Sequence, residues 1–254
     1  MSARAATAPT VNHRFFPRGW KDFVLQLGIW FGFLAAYEVA RGVADRDPAK
    51  AFENGRRIIN LEGPHHLYEL TFQRIISEHG FLETASSWTY WGSQFTVLGL
   101  ALLWMYLRRN EAFYNFRNAI MLANVIGLMG YVLLPTAPPR MFPSFGFVDS
   151  LADFGGISHG SMVVQLASNP YAAVPSLHAA DSLIVGVVLA TQMRSLPMKI
   201  LWLLWPVWVW IVVMATGNHF WIDIVAGVLV AMIACAIVYR RPLQARLAAL
   251  AHAA

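Results

Sequence analysis

The sequence predicts an all-α, polytopic membrane protein: a bundle of six transmembrane helices with an amphipathic helical segment outside the membrane. Three observations carry this. Of the 254 residues, 57% are hydrophobic and only 13% charged, with ten tryptophans, which is membrane composition and well away from soluble averages. Apolar runs recur at the ~17 to 25 residues that a bilayer crossing needs. The basic residues stand at the ends of those runs rather than in a cluster, so the net charge of +5 reads as membrane topology and gives nucleic-acid binding no support.

Residues 1–22 lack an apolar core and a cleavage site, so they read as a basic cytoplasmic tail rather than a signal peptide. The predicted spans are Phe23 to Val43, Trp88 to Leu107, Asn118 to Leu134, Ser176 to Met193, Ile200 to Thr216 and Trp221 to Tyr239. They form a single transmembrane domain over 23–240, followed by a second cytoplasmic tail, 241–254. With the N-terminus inside, Arg14, Arg18, Lys21, Arg108, Arg109, Arg117, Arg194, Lys199, Arg240, Arg241 and Arg246 all face the cytoplasm. Arg41, Arg46, Lys50, Arg56, Arg57, Arg74 and Arg140 remain outside, so both termini are expected in the cytoplasm of a cell-membrane protein. In the external segment 44–87, Tyr68, Phe72, Ile75 and Ile76 recur at helical spacing and predict an amphipathic helix in the outer interface. Gly63-Pro64 breaks it from a preceding short helix that carries Arg56 and Arg57. The second external segment, 135–175, is rich in proline and glycine and reads as an ordered, irregular cap. The lone Cys235 falls within the last span, as a small hydrophobe with no disulfide partner in the chain.

Under this topology three unusual stretches share the outer side, at the ends of the third, fourth and sixth spans. In Ala-Val-Pro-Ser-Leu-His-Ala-Ala, 173–180, Ser176 is placed to cap a helix whose first turn holds Leu177 and His178. Free N–H groups at a helix start make a ready anion site, and a plain N-cap is the alternative. Arg140 ends the run Pro-Thr-Ala-Pro-Pro-Arg, where prolines fix its backbone; its guanidinium suits phosphate, or equally a lipid headgroup at the interface. In Gly-Asn-His-Phe-Trp-Ile-Asp, 217–223, a helix puts His219 and Asp223 on one face. That pair is either a structural hydrogen bond or a device that leaves one ring nitrogen as a nucleophile. His178, a second imidazole, matters because double-displacement phosphoryl transfer needs one group to attack and another to protonate the leaving oxygen. The same side chains include zinc-type ligands, but Arg140 and the helix-start donors favour an anion, so neither metal nor cofactor is expected. Asp181, one turn after His178, is costly within a span and is either a substrate or acceptor contact or a polar link between helices. Asn124 and Glu38 read as interhelical contacts.

Pro-Ser-Leu-His at 175–178 and His219-Phe-Trp-Ile-Asp223 resemble the second and third signature motifs of the type 2 phosphatidic acid phosphatase superfamily. Ala-Pro-Pro-Arg at 137–140 and the Gly-Asn-His-aromatic run resemble its inositol phosphorylceramide synthase-like branch. The resemblance covers about residues 88–240 and implies six membrane helices, no metal and a phosphohistidine intermediate. It implies His219 as nucleophile, Asp223 as its orienting partner and His178 as general acid, with Arg140, Ser176, Leu177 and Asn218 around the phosphoryl oxygens. The chain departs from the fullest family pattern at Leu133 and Val213, where cations are usual, and at Met141, where proline is usual. Arg56 or Arg57 is the candidate to compensate, and Asp181 and Tyr171 are further candidate substrate or acceptor contacts.

The function expected from this is a membrane lipid-phosphate phosphatase working at the outer face on phosphatidic acid, a polyprenyl phosphate or a related lipid. The alternative is a phosphotransferase that passes the phosphoryl or phospho-headgroup to an alcohol. A non-catalytic lipid transporter or binding protein is the third reading, against which His178, His219 and Asp223 stand.

Overall fold

The structure is a computed structural model that describes residues 16–43, 47–151 and 169–251, with side chains as far as Arg240. Residues 1–15 of the predicted N-terminal tail, Arg46, the middle of the predicted cap and residues 252–254 lie outside the described residues, and of 241–251, with Arg241 and Arg246, only the helical backbone is described. Helices dominate: α1 Trp20–Val43, α2 Pro48–Glu62, α3 Tyr68–Ser77, α4 Gly80–Gly92, α5 Leu98–Arg108, α6 Asn110–Leu133, α7 Leu177–Gln192, α8 Leu196–Ala215 and α9 Trp221–Ala251. Among the described residues the extended backbone amounts to a bridge between Thr136 and Ala172.

Among the described residues four helices are long and apolar enough to cross a membrane: Trp20–Gly42, Asn110–Leu133, Leu196–Ala215 and Trp221–Arg240. The predicted span Trp88 to Leu107 is helical throughout but broken in pitch, because a π-helical turn, Ser93–Val97, joins α4 to α5. The predicted span Ser176 to Met193 is α7, which has 16 residues. Leu61, Phe81, Phe95, Leu133, Leu201 and Ile237 are all exposed, as expected of helices that meet lipid rather than water.

α7 lies at the centre, packed against α8 on one side and against α6 and α9 on the other. Two glycines permit this. Pro206 inside α8 cannot donate to the Trp202 carbonyl one turn back, and that carbonyl faces Gly186 of α7, where a Cβ would come within 2.5 Å of it. On α9, a Cβ at Gly227 would run into the carbonyl of Ser176 at the start of α7 and lie 3.1 Å from the Ala179 Cβ. Such close approach is the usual route to association between membrane helices, where lipid removes the hydrophobic driving force.

Outside the long helices, α2 and α3 are present as expected, separated at Gly63. α2 buries Ala51, Ile58 and Ile59, as an amphipathic helix does, whereas α3 buries polar side chains along with Ile76. In α3 Tyr68 is 62% exposed and Ile75 46%, while Glu69 is fully buried and Gln73 nearly so. Gln73 donates to the carbonyls of Val148 (2.7 Å) and Ala215 (3.2 Å) and accepts from the Val148 N–H at 3.1 Å. It thereby ties the cap to the end of α8. In α2, Asn54 donates to the Pro135 carbonyl at 2.8 Å, and the Ala51 carbonyl accepts from Ala137 at 3.0 Å. The external helices are pegs that fix the loops between spans.

Gly186→Ala and Gly227→Ala are each expected to cost about 1–3 kcal/mol through overpacking against backbone. Gly99→Ala, where a Cβ meets nothing within 4 Å, should leave stability unchanged. Thermal melting in detergent micelles distinguishes the three.

Candidate active site

Arg140, Asn169, Leu177, His178, Asn218 and His219 all line one cavity of about 1000 Å³. The loop 216–220, between α8 and α9, supplies two buried groups, Asn218 and His219. His219 is 5% exposed, and its Nδ1 lies 2.9 Å from the Ala173 carbonyl and 3.4 Å from Asp223 Oδ2. A carbonyl only accepts, so Nδ1 carries the proton and Nε2 keeps its lone pair. Burial, reinforced by the nearby Arg140 and Arg41 charges, pushes this imidazole down to about 3 against the pull of the Ala173 hydrogen bond. His219 is therefore neutral and basic at Nε2 near neutral pH. Asp223 divides its attention: Oδ2 accepts from the Phe220 N–H at 2.9 Å, more closely than from His219. The orienting function expected of Asp223 alone is thus shared with the Ala173 carbonyl, which no side-chain pattern could reveal.

The ring of His178 stands 5.9 Å from that of His219 at 61°, and stacks on Tyr90 of α4 at 4.7 Å. Stacking fixes its plane while leaving it partly open to the cavity. Ser176 is fully buried and is the N-cap of α7, its Oγ accepting from Ala179 at 3.3 Å. Its own N–H donates to the Asp223 carbonyl at 2.9 Å, so the starts of α7 and α9 are joined through backbone. Leu177 follows as the first residue of the helix, its side chain packed against Gly127 of α6.

Arg140 sits in a 3-10 turn, Pro139–Met141, and its N–H donates to the Gly217 carbonyl at 2.8 Å. Its guanidinium bonds Asn218 Oδ1 and approaches Asp149 to 3.6 Å. Asn218 in turn donates to the carbonyl and hydroxyl of Thr216 at 3.1 and 3.0 Å. Its amide is engaged on both sides, and it aims the arginine.

Three other candidates fall elsewhere. Arg56 and Arg57 are exposed on α2, Arg57 paired with Glu53 at 2.6 Å, and neither lines the cavity. Tyr171 packs edge-on against Phe52 in the cap, 6.4 Å between centroids, and is also outside the cavity lining. Asp181 does line it, and accepts from Asn124 of α6 at 3.0 and 3.1 Å and from Gln94 at 2.6 Å. The π turn, a common device at functional sites, carries Gln94 to this position. Asp181 is thus a hydrogen-bonded link among three helical segments, beside the cavity and one turn in from His178.

From this polar end the cavity continues as an apolar groove along one face of α1, past Leu34, Trp30 and Leu27 to Phe23, and along α5 through Leu98 and Leu102. From Arg41 to Phe23 is ~27 Å at 1.5 Å per residue, close to the hydrocarbon thickness of a bilayer. At the far end Asp22 accepts from Tyr106 at 2.8 Å and from Tyr114 at 3.2 Å, and Arg117 bonds Gln26.

A second layer holds α9. The Trp221 N–H donates to Glu69 Oε1 at 2.7 Å and the Ile222 N–H to Glu62 Oε1 at 3.1 Å, so two acids complement the helix start. Their other oxygens are buried without a partner, and burial with mutual repulsion pushes Glu62 up to about 9. One proton held by Glu62 therefore keeps the pair from being doubly charged.

The arrangement defines a helical, membrane-type protein with guanidinium groups and two imidazoles gathered where an apolar groove ends. The chain belongs to the PAP2 superfamily, whose family model matches residues 56–237, and this gives it a phosphatase or phosphotransferase type of activity. Comparison with curated proteins and with solved structures gave no match.

A carboxyl whose folded-state pKa is raised contributes stability that is full below its ordinary value, 4.5, and lost as pH rises through about 9. Melting temperature in detergent should fall as pH rises from about 4.5 to about 9 and level off above that, and Glu62→Gln should flatten the fall.

Proposed function

We propose that the protein is a six-span lipid-phosphate phosphatase that works through a phosphohistidine at the outer membrane face. The observation that carries this reading is a neutral His219, its Nε2 lone pair preserved by the Ala173 carbonyl, beside His178 and Arg140 at the end of a groove of bilayer length. The lipid chain occupies the groove, and its phosphate lies among Arg140, the Ser176 hydroxyl and the first-turn N–H groups of α7. Nε2 of His219 attacks phosphorus and forms the P–N bond as the P–O bond to the lipid breaks. The leaving oxygen takes a proton from His178, whose protonated form is favoured by the arriving phosphate charge. Water then gives a proton back to His178 and attacks phosphorus, the P–N bond breaks, and inorganic phosphate leaves. No step calls for a metal. Arg140 and the helix-start donors act on charge that grows in the transition state, where such groups contribute most.

The six-span reading adds α7 and the run from α4 to α5 to the four longest helices. It puts Arg140, His178, His219 and the external helices on one side, and Arg18, Lys21, Arg108, Arg109, Arg194, Lys199 and Arg240 on the other. The positive-inside rule makes the second side cytoplasmic.

His219→Ala is expected to abolish phosphate release from a panel of phosphatidic acid, polyprenyl phosphates and diphosphates. His178→Ala should retain an acid-labile phosphoenzyme on rapid quench. Equal release by wild type and His219→Ala would overturn the reading, and a new phosphodiester formed when alcohols are added would mark transfer rather than hydrolysis. For the topology, His79→Cys should react with an impermeant maleimide in intact cells, and Ser195→Cys only after permeabilisation; the reverse pattern would place the site inside.

A further inference from the structure

Arg41 stands in the last turn of α1, outside the stretch matched by the family model, and lines the same cavity as Arg140, His178 and His219. Its surroundings do not satisfy it. Among the described residues its ion-pair partner is Glu38, one turn back on the same helix and 3.8 Å from a terminal nitrogen, at the outer limit of an ion pair, and the buried Nε–H has no acceptor. A guanidinium carries five donors, and leaving a buried one unmade is costly. An interfacial arginine that only reaches for lipid headgroups turns its donors outward; this one is turned to the chamber, near enough that its field acts on both histidines. Arg140 meets Asp149 and Asn218 from the other side. Two guanidinium groups that line one cavity repel each other, and an anion between them removes the conflict.

We infer that Arg41 is a second phosphate-binding cation of the site, supplied by α1, which with Arg140 holds the non-transferred oxygens of the lipid phosphate. This rests on the proposed function for the identity of the substrate but not for the binding of an anion. Because α1 also forms one wall of the groove, Arg41 couples seating of the lipid chain to seating of its phosphate.

Two measurements on the full chain in detergent test it. The first is thermal stabilisation by orthophosphate and orthovanadate in a His219→Ala background, which needs no turnover. Arg41→Ala should weaken the apparent affinity about ten- to hundredfold, as expected for loss of a charge-assisted contact. Arg41→Lys should recover part of it, which separates lost anion binding from lost folding. The second is turnover on dioleoyl phosphatidic acid and a polyprenyl phosphate, where Arg41→Ala should raise KM more than it lowers kcat. An anion affinity within twofold of the parent in a folded Arg41→Ala protein overturns the inference and leaves the proposed reaction standing. Arg41-dependent anion binding without His219-dependent turnover on either lipid supports the inference while removing the proposed reaction.

Discussion

The hydrogen bond from the Ser176 N–H to the Asp223 carbonyl, 2.9 Å long, joins the starts of two helices, and the site depends on it. Helix starts have N–H groups that the helix itself cannot satisfy. α7 answers with its own Ser176 Oγ, and α9 with Asp223, Glu62 and Glu69. Gly227 allows the two starts to approach until backbone meets backbone. Once that contact is made, His178 on α7 and His219 just before α9 face each other with little freedom left. The cap does the same for Arg140, whose backbone is bonded to Gly217 two residues before His219. Positioning is thus carried by main chain, and the reactive side chains are left for chemistry.

The electrostatics follow from the same burial. Removing His219 from water disfavours its charged form, and the two arginines add to the effect, so the imidazole stays neutral. The acids behind α9 are subject to the same penalty with opposite sign: burial and proximity make Glu62 hold a proton. Arg140 and Arg41 line the same cavity as His219, and a neutral imidazole beside guanidinium groups is suited to a ligand that brings its own negative charge.

Much of this was legible in the sequence, and the rest fails for identifiable reasons. Length and apolarity marked the long helices because a membrane crossing has a minimum size. The motifs holding Arg140, Ser176, His178, His219 and Asp223 are visible as chemistry out of place at span ends; the structure brings Arg140, His178 and His219 to one chamber and buries Ser176 and Asp223 behind it. Glu69 and Gln73 were not legible, since a carboxylate and a carboxamide on a short external helix look like a solvated face; the backbone groups they satisfy lie about 150 and 75 residues away in sequence. In the sequence Arg41 reads as one more cation at the outer end of a span, whereas Arg56 and Arg57, on a short helix of the external segment, read as able to fold over the site. The signal available was helical phase: Leu34, Tyr37 and Glu38 lead up to Arg41 on the face that lines the groove. Asp181 was recognised as costly, but its partners depend on a π turn that no periodicity announces.

In the proposed reaction, the fate of the phosphohistidine turns on what replaces the lipid alcohol. Phosphoryl transfer proceeds with the attacking and leaving oxygens roughly in line, so the second nucleophile must come to the place the first leaving oxygen vacated, next to His178. While the lipid alcohol remains in the groove its hydroxyl lies at that place, and the forward and reverse steps share one geometry. Hydrolysis therefore requires the alcohol to withdraw into the groove or leave it before water enters from the polar end. The groove's far end carries polar pairs, Tyr106 and Tyr114 on Asp22 and Arg117 on Gln26. Asp181, one turn inward from His178, has Asn124 and Gln94 as partners, and a carboxylate with about four acceptor sites can take a further O–H from water or from an alcohol, so the outcome turns on which of the two reaches the vacated place first.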